Sequence, residues 1–320
     1  MKEITEGESR LLVPDVSMPE KGEVFYNPTQ AVSRDLSILF YQSKDVDVLD
    51  GMAASGARSI RLAKNGVKVT ANDYSKGAVK LIEKNAKLNG LEFPILNMDV
   101  RKAMLSQRWG AIDIDPFGSP APFVHYALES AVKFIGLAAT DTAALCGTYP
   151  RVARRRYDFV SKRTPNYPEI GVRGLAGFVV REAAKLEIAA RPVFAHSFQH
   201  YYRLYFALSG GARRVDLLLD ELGNHNGVGP LFLGNLWDKE TVNDMIKLSK
   251  NFEFGHKKSL AHLLLIKDEL KYPQPYFDLH ALCREKKLKC PPLSSVLEKN
   301  HAVRTHFTPL GFRCEGQPKL

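Results

Sequence analysis

Between Val46 and Thr140, short apolar runs alternate with segments whose apolar residues recur at helical spacing. The pattern predicts strands at Val46–Asp50, Val67–Asn72, Pro94–Met98, Ala111–Asp115 and Ile135–Thr140. Helices are expected at about Gly56–Lys64, from an N-capping Ser75 to a terminating Gly90, and at about Phe123–Lys133. Repeated strand–helix units of this kind imply an α/β fold, a parallel sheet covered by helices on both faces. Thr148–Pro168, rich in Arg, Pro and Tyr, breaks the rhythm and reads as an irregular arm. A long helix from about Gly174 to Ala190 follows, then Val193–Phe198 and Tyr202–Leu208 as an antiparallel pair at the sheet's edge. Gly210-Gly211 and Gly223-Asn224-His225-Asn226-Gly227 read as a linker. Beyond it, helices near Thr241–Lys250, Ser259–Leu270, Leu279–Lys286 and Leu293–Lys299 and a strand at Ala302–Phe307 suggest a smaller α+β module. The expected division is a domain of residues 1–227 and a C-terminal domain of residues 228–320.

A length of 320 residues suits two domains. The formal net charge of +10 is unevenly placed. Thr148–Arg191 holds 10 Lys/Arg against 4 Asp/Glu, and Val228–Leu320 holds 15 against 10, so the excess sits in two segments. A polyanion is the simplest partner for charge concentrated in this way. The acidic start Met1–Glu8 is unlike a signal peptide, and no apolar run reaches membrane-spanning length, so a cytoplasmic protein without a membrane segment is expected. Cys146, Cys283, Cys290 and Cys314 form no Cys-x-x-Cys pair and are expected to be buried free thiols, with no metal bound.

The chemistry gathers at the ends of the predicted strands. The loop Asp50-Gly51-Met52-Ala53-Ala54-Ser55-Gly56-Ala57-Arg58 lies where nucleotides bind in doubly wound folds, but its glycine pattern falls short of the dinucleotide fingerprint. Asp50 would repel a pyrophosphate and suits the ammonium or sulfonium of S-adenosylmethionine. Asp73, ending the second strand, can accept both ribose hydroxyls, and Asp99, followed by Val100, can hold the adenine amine. Asp115, in Asp113-Ile114-Asp115-Pro116-Phe117-Gly118-Ser119-Pro120, precedes a proline and is held extended. Asp115 and the Pro116 carbonyl can accept hydrogen bonds from an exocyclic amine while a planar base stacks on Phe117. Asp113 lies on the same face of the same strand, in a supporting role or as a structural acid.

With these motifs the chain resembles the archaeal/eukaryotic tRNA (guanine-N2)-dimethyltransferases. The resemblance also rests on Glu23-Val24-Phe25-Tyr26-Asn27-Pro28, Arg34-Asp35, Asn72-Asp73, Asn97-Met98-Asp99, Thr140-Asp141-Thr142 through Gly147-Thr148, Tyr276-Phe277-Asp278-Leu279-His280 and Arg304-Thr305-His306-Phe307. It implies a class I S-adenosylmethionine-dependent methyltransferase (Rossmann-like) domain with a smaller C-terminal α+β domain. The implied activity is methylation of N2 of guanine 26 in tRNA. It further implies that Asp115 is the catalytic acid, that Arg34, Arg58, Asp73 and Asp99 contact the cofactor, and that Phe25 and Phe117 wall the base pocket, to which Asp113 is added from its place on the face of Asp115. Family members commonly carry a cysteine-rich insertion after the edge strands; here Ser209–Gly229 is short and lacks cysteine.

In this reading Arg151, Arg154, Arg155, Arg156, Lys162 and Arg163, with Lys286, Lys287, Lys289 and Arg304, grip tRNA phosphates, which sets register without base identity. Tyr201 and Tyr202 read as sheet residues. A monomer is expected. The alternatives are a different amine-directed methyltransferase, acting on adenine or a protein amide, and a non-catalytic RNA-binding protein. A 5-methylcytosine enzyme would need a catalytic cysteine, and Cys146 follows an apolar run.

Overall fold

The structure, a computed structural model, describes residues 1–15 and 24–320, so Glu23 of the family-like stretch lies outside the described residues. The chain divides into two compact units. One comprises Met1–Ala138, Phe206–Leu208 and Asn243–Leu260; the other comprises Ala139–Tyr205, Ser209–Val242 and Ala261–Leu320.

The first unit opens with an antiparallel hairpin of β1 (Lys2–Glu6) and β2 (Ser9–Val13). Then come α1 (Ala31–Gln42), β3 (Val48–Asp50), α2 (Ala57–Lys64), β4 (Val69–Asn72), α3 (Lys76–Leu88), β5 (Ile95–Leu96), α4 (Val100–Leu105), β6 (Trp109–Ile114), α5 (Ala121–Ser130) and β7 (Ala131–Ala139). The strands run in the order β5-β4-β3-β6-β7, all parallel, with Phe206–Leu208 next to β7. β3 and β6 bury nearly every residue, as strands covered on both faces must. Ser75 caps α3 as the sequence predicts, its Oγ accepting the Ala78 N–H at 3.4 Å. On the inner face of that helix, buried Asn85 accepts from Leu12 N–H at 2.7 Å and donates to the Ser55 carbonyl at 2.9 Å. It thereby ties the hairpin and the loop after β3 to α3. The helix expected to reach Lys133 stops at Ser130, because Ala131 already pairs with Trp109 of β6 and sheet pairing overrides the apolar period.

A buried ion network fixes the hairpin. Arg34 makes two bonds to Glu6, at 2.7 and 2.6 Å, and fully buried Arg61 reaches Glu6 at 3.2 Å and Asp35 at 2.5 Å. Asp35 also accepts from Gly255 N–H at 2.8 Å, His256 N–H at 3.0 Å and Ser259 Oγ at 2.5 Å. Burial pushes the Glu6 carboxyl up, but Arg34 and then Arg61 outweigh it and hold the group at about 2.

The second unit contains α6 (Thr142–Leu145), α7 (Pro150–Tyr157) and α8 (Tyr167–Ala184). Next are β8 (Ile188–Phe198) and β9 (Tyr201–Gly210), paired as a hairpin, and α9 (Ala212–Leu219). β10 (Leu222–His225) and β11 (Val228–Phe232) form a second hairpin. The chain then runs through α10 (Lys239–Leu248), most of which belongs to the first unit, and α11 (Ser259–Glu269), and continues in the second unit with β12 (Phe277–Asp278), α12 (Leu279–Glu285), α13 (Leu293–Lys299), β13 (Val303–Arg304) and β14 (Gly311–Arg313). The last three strands make a small sheet in the order β12-β14-β13.

Three expectations change here. The arm at Thr148–Pro168 contains a helix, α7, started by Pro150 and buried through Ala153 and Tyr157 at i, i+4 spacing. α8 begins seven residues earlier than Gly174 and ends before Ala190. Its glycines hid that start, since glycine weakens a helix by about 1 kcal/mol against alanine. They are required by close approach: a Cβ on Gly171 would lie 2.6 Å from the Tyr202 ring, and one on Gly174 would lie 2.6 Å from the Phe159 ring. The expected linker is instead α9 followed by the β10–β11 hairpin, turned by Asn226 and Gly227 with φ of 52° and 73°. Tyr201 and Tyr202 are buried sheet residues, and the four cysteines are free, but Cys290 is exposed in the loop between α12 and α13. No helix among the described residues is long and apolar enough to cross a membrane.

The core of this unit is crossed by ions. Glu169 receives Arg173 at 2.9 Å and Arg313 at 2.8 Å, and Arg313 also donates to Glu269 at 2.6 Å. Glu269 further accepts from Thr305 Oγ1 and pairs with His306 Nδ1, both at 2.5 Å. Burial raises the Glu269 carboxyl, yet His306 and then Arg313 hold it at about 2, below the ordinary 4.5. Glu269→Gln should lower the unfolding free energy by about 3–5 kcal/mol, the usual cost of breaking a buried pair. Because the folded carboxyl titrates below the unfolded one, its contribution is full above about pH 4.5 and is lost as pH falls toward 2. Urea unfolding at several pH values checks both: the variant should lose less stability than the wild type across that acid window.

Candidate active site

The site is built on the carboxyl edge of the parallel sheet, within the first unit. β3 and β6 pair so that Asp50 stands in register with Asp113, and neighbouring parallel strands point such partners to the same face. The chain after Asp50 turns tightly. Gly51 N–H donates to the Asp113 carbonyl at 3.0 Å, and a Cβ there would come within 2.9 Å of Val100 and 3.2 Å of that carbonyl. Gly56, with φ of 76°, then delivers the chain into α2, whose first turn carries Arg58.

Arg58 is the centre of the arrangement. Its Nη1 donates to Asp113 Oδ1 at 2.5 Å, its Nη2 donates to Asp115 Oδ2, and Asp50 Oδ1 lies 3.8 Å away. One guanidinium therefore serves three carboxylates. Asp113 is fully buried, and its other oxygen accepts the Tyr41 hydroxyl at 2.8 Å. Expected in the base pocket, Asp113 is fully buried and bonded to Arg58 and Tyr41, whereas the Asp115 side chain is 20% exposed. Asp50 Oδ2 accepts from Ser59 Oγ at 2.6 Å. Burial is the main force raising the Asp50 carboxyl, and with the charges of Asp113 and Asp115 it overcomes Arg58, lifting the group to about 6.

The other predicted residues take different places. Asp73 accepts from Ala54 N–H and Ser75 N–H, both at 2.8 Å, and so braces the loop after β3. Asp99 caps α4 and is gripped by Arg101 at 2.9 and 2.7 Å, a bond that with the Arg101 charge holds its carboxyl at about 2. Val100 is buried against the loop. Phe117 is 78% exposed, and its ring meets that of Phe25 edge-on with centroids 4.9 Å apart, so the pair is a surface feature of the edge rather than core. Pro116 is buried. Arg34 differs from expectation: it is buried with its charge committed to Glu6. Sequence reasoning missed Tyr41, Arg101 and the Glu6 network. Two arginines one turn apart in α2, amid apolar Ile60 and Leu62, were the available signal for buried pairing.

In the second unit, Arg151, Arg154 and Arg155 line the exposed side of α7, while Arg156 pairs with Asp141 at 2.9 Å. Lys162 is exposed, and Arg163 lies over the Tyr167 ring at 4.7 Å. Lys286, Lys287, Lys289 and Arg304 are all exposed. Among the described residues no group of three or more His, Cys, Asp or Glu is placed to hold a metal ion.

A family model described as N2,N2-dimethylguanosine tRNA methyltransferase matches residues 7–226 and 220–319. The chain is 35% identical to a tRNA (guanine(26)-N(2))-dimethyltransferase of Methanocaldococcus jannaschii, over 99% of this chain and 96% of that protein. A protein of the same description from Saccharolobus solfataricus is 32% identical over 98% and 96%. Among solved structures, Trm1 from Pyrococcus horikoshii in complex with S-adenosyl-L-methionine superposes with a TM-score of 0.92 at 30% identity, covering 99% of this chain and 97% of that one.

Because Arg58 bonds the fully buried Asp113, Arg58→Met should destabilise the protein by about 3–5 kcal/mol. Adding Asp113→Asn should recover a substantial part of that loss. A double-mutant cycle by urea unfolding measures the coupling; strictly additive effects would show that the two groups act independently.

Proposed function

The chain belongs to the N2,N2-dimethylguanosine tRNA methyltransferase family, and from that premise we propose that it methylates N2 of guanine 26 in tRNA, first once and then again, using S-adenosylmethionine, with Asp115 as the acceptor of the amine's hydrogen bond and proton. The observation that carries this reading is the ratio of three carboxylates to one guanidinium at the carboxyl edge. When all are ionised the cluster holds two negative charges in excess, which suits a cationic ligand and opposes a phosphate.

When bound, S-adenosylmethionine supplies a methyl group on a positively charged sulfur, already activated for displacement. Asp50, Asp73, Asp99, Val100 and Arg58 are the residues we assign to holding it. Arg34 supports them from behind, by fixing Glu6 and the hairpin. Phe25 and Phe117 wall the space for the guanine base, and Asp115 with the Pro116 carbonyl orients N2. The amine lone pair is delocalised into the purine, so orientation and hydrogen bonding to its N–H groups must draw it toward a nucleophilic geometry. Asp115 then takes the proton that N2 sheds as the new N–C bond forms. The proton on Asp115 replaces the positive charge that arrived on sulfur, so the total charge of the site is the same before and after transfer. Partial exposure lets Asp115 return that proton to solvent before a second cycle.

Guanine 26 must be unstacked to enter, at a cost of a few kcal/mol. The exposed arginines of α7, with Arg156, Lys162 and Arg163, and the cations of residues 228–320, Lys286, Lys287, Lys289 and Arg304, hold the tRNA phosphates. We assign the catalytic domain to residues 1–227 and the smaller tRNA-binding domain to residues 228–320, in a monomer acting in the cytoplasm.

Methyl transfer from labelled cofactor to an unmodified tRNA transcript tests the assignment. Asp115→Asn should reduce the rate by about 10²–10⁴-fold, the range of general-base contributions. A transcript with adenine at position 26 should take no label. Full activity of the variant, or labelling of the adenine transcript, would overturn the role or the substrate. Cofactor affinity should also depend on pH. Asp50 titrates at about 6 without ligand and a cation favours its ionised form, so affinity is constant well above that value and weakens as pH falls below it. Calorimetric titration in the absence of tRNA reads this directly.

A further inference from the structure

We propose that Cys283 and Cys290 are an oxidant-sensitive pair: a hydroperoxide joins them in a disulfide that steadies the turn between them, and thiol reductants reopen it. Cys283 lies in α12 and shares a buried apolar cluster with Leu279, Val296, Phe312 and Cys314. Cys290 is exposed in the loop between α12 and α13. The way α12 ends brings the two together. Lys287 takes a φ of 54°, Leu288 N–H donates to the Cys283 carbonyl at 2.9 Å, and Lys287 N–H donates to the Arg284 carbonyl at 3.3 Å. These are the bonds of a Schellman stop, which reverses the chain over the last turn of a helix. The chain therefore runs back along α12, and Cys290 Sγ reaches the Leu279 carbonyl at 3.8 Å. In an α-helix that carbonyl accepts the amide four residues ahead, which here belongs to Cys283. The two thiols lie within hydrogen-bonding reach of each other. Pro291 follows directly and restricts Cys290 to an extended backbone.

The pair is unequal, and that orders the chemistry. Loss of water, and then the neighbouring Cys290 thiol, push the Cys283 thiol up to about 11. Cys146, Cys283 and Cys314 are all buried, so Cys290 is the sulfur that meets the oxidant. Its thiolate attacks one oxygen of hydrogen peroxide; the O–O bond breaks, hydroxide leaves, and Cys290 becomes a sulfenic acid. The Cys283 sulfur then attacks Cys290. An S–S bond forms as the S–O bond breaks, and the departing hydroxide takes the Cys283 proton as water. Across both steps two thiols give up two electrons and two protons, and one peroxide becomes two waters. In a reducing compartment such a pair rests as the dithiol and closes only under oxidant. The ring it closes contains Lys286, Lys287 and Lys289. A crosslink across a turn restricts how that turn opens, and this is the turn on which the proposed function places three phosphate-binding cations. The disulfide itself does not depend on that assignment.

The test treats the full chain with hydrogen peroxide, counts thiols after denaturation and maps disulfides by peptide mass spectrometry. The count should fall from four to two, with one bond joining Cys283 to Cys290, and dithiothreitol should restore all four. Deuterium uptake by residues 284–290 should slow by about tenfold in the oxidised protein, as expected where a crosslink opposes local opening. Cys290→Ala, a change at an exposed position, should keep its three remaining thiols under the same treatment. Cys283→Ser should instead accumulate a sulfenic acid at Cys290, trapped by dimedone; if this variant does not fold, the Cys290→Ala comparison decides. Four intact thiols in the treated wild type would overturn the proposal. So would a bond to Cys314 or between two chains, a Cys290 that proceeds to sulfinic acid beside a Cys283 thiol, or thiol loss in Cys290→Ala. Unchanged uptake in a fully disulfide-linked sample would overturn the effect on the turn. None of these readouts involves tRNA, so their failure leaves the proposed methylation standing.

Discussion

Two aspartates standing side by side on adjacent parallel strands impose the condition that organises the first unit. Asp50 and Asp113 are register partners, fully or almost fully buried, and turned to one face. At the strand spacing of about 5 Å and an effective dielectric of about 20, their repulsion is about 3 kcal/mol, before any cost of burial. A sheet edge of that kind persists only with a cation placed over it. The loop after β3 turns at Gly51 and Gly56 so that α2 begins where Arg58 can reach both acids and Asp115 beyond them.

The same helix repeats the device one turn later. Arg61 faces Glu6 and Asp35, and Asp35 gathers the backbone of Gly255 and His256 and the hydroxyl of Ser259. Thus α2 holds the chemical edge with one arginine and two distant stretches of chain with the other. Arginine suits both positions because its fork bonds two acceptors at once and keeps its charge when buried. Lysine at either place would offer a compact ammonium in place of the planar fork that spans two carboxylates.

This division also explains what could be read from the chain alone. The strand-ending acids Asp50, Asp73 and Asp115 carry local signals, an apolar run that stops at a turn-forming residue, and the structure puts them at one sheet edge. The partners of Arg58 carry none. Asp50 is its nearest acid in sequence and lies 3.8 Å away, whereas the bonded acids, Asp113 and Asp115, are set by the register of β3 against β6. Tyr41 and Glu6 are further cases in which only long-range packing assigns the partner. α7 carries a weak signal because its four arginines leave only Ala153 and Tyr157 as buried residues to mark the helical period. The Asn226-Gly227 turn was a different failure: its dipeptide is a strong hairpin signal, and the surrounding glycines made it look like a linker.

The excess of acid over base ties the architecture to the chemistry. A cluster balanced at neutrality would have no preference for a cationic donor and no reason to retain a proton. With three carboxylates and one guanidinium, the edge favours a positive charge, which is what the proposed reading asks of it: a sulfonium before transfer and a proton on Asp115 afterwards. Raising Asp50 to about 6 is the cost of that excess, visible as burial and like charge pressing the carboxyl toward its neutral form. Arg58 limits the cost by bonding Asp113 and Asp115, and in the proposed reading the remaining negative field is what attracts the sulfonium. In the proposed reading, a second arginine at this edge would stabilise the neighbouring carboxylates and weaken their attraction for a sulfonium, because the added positive charge would oppose it.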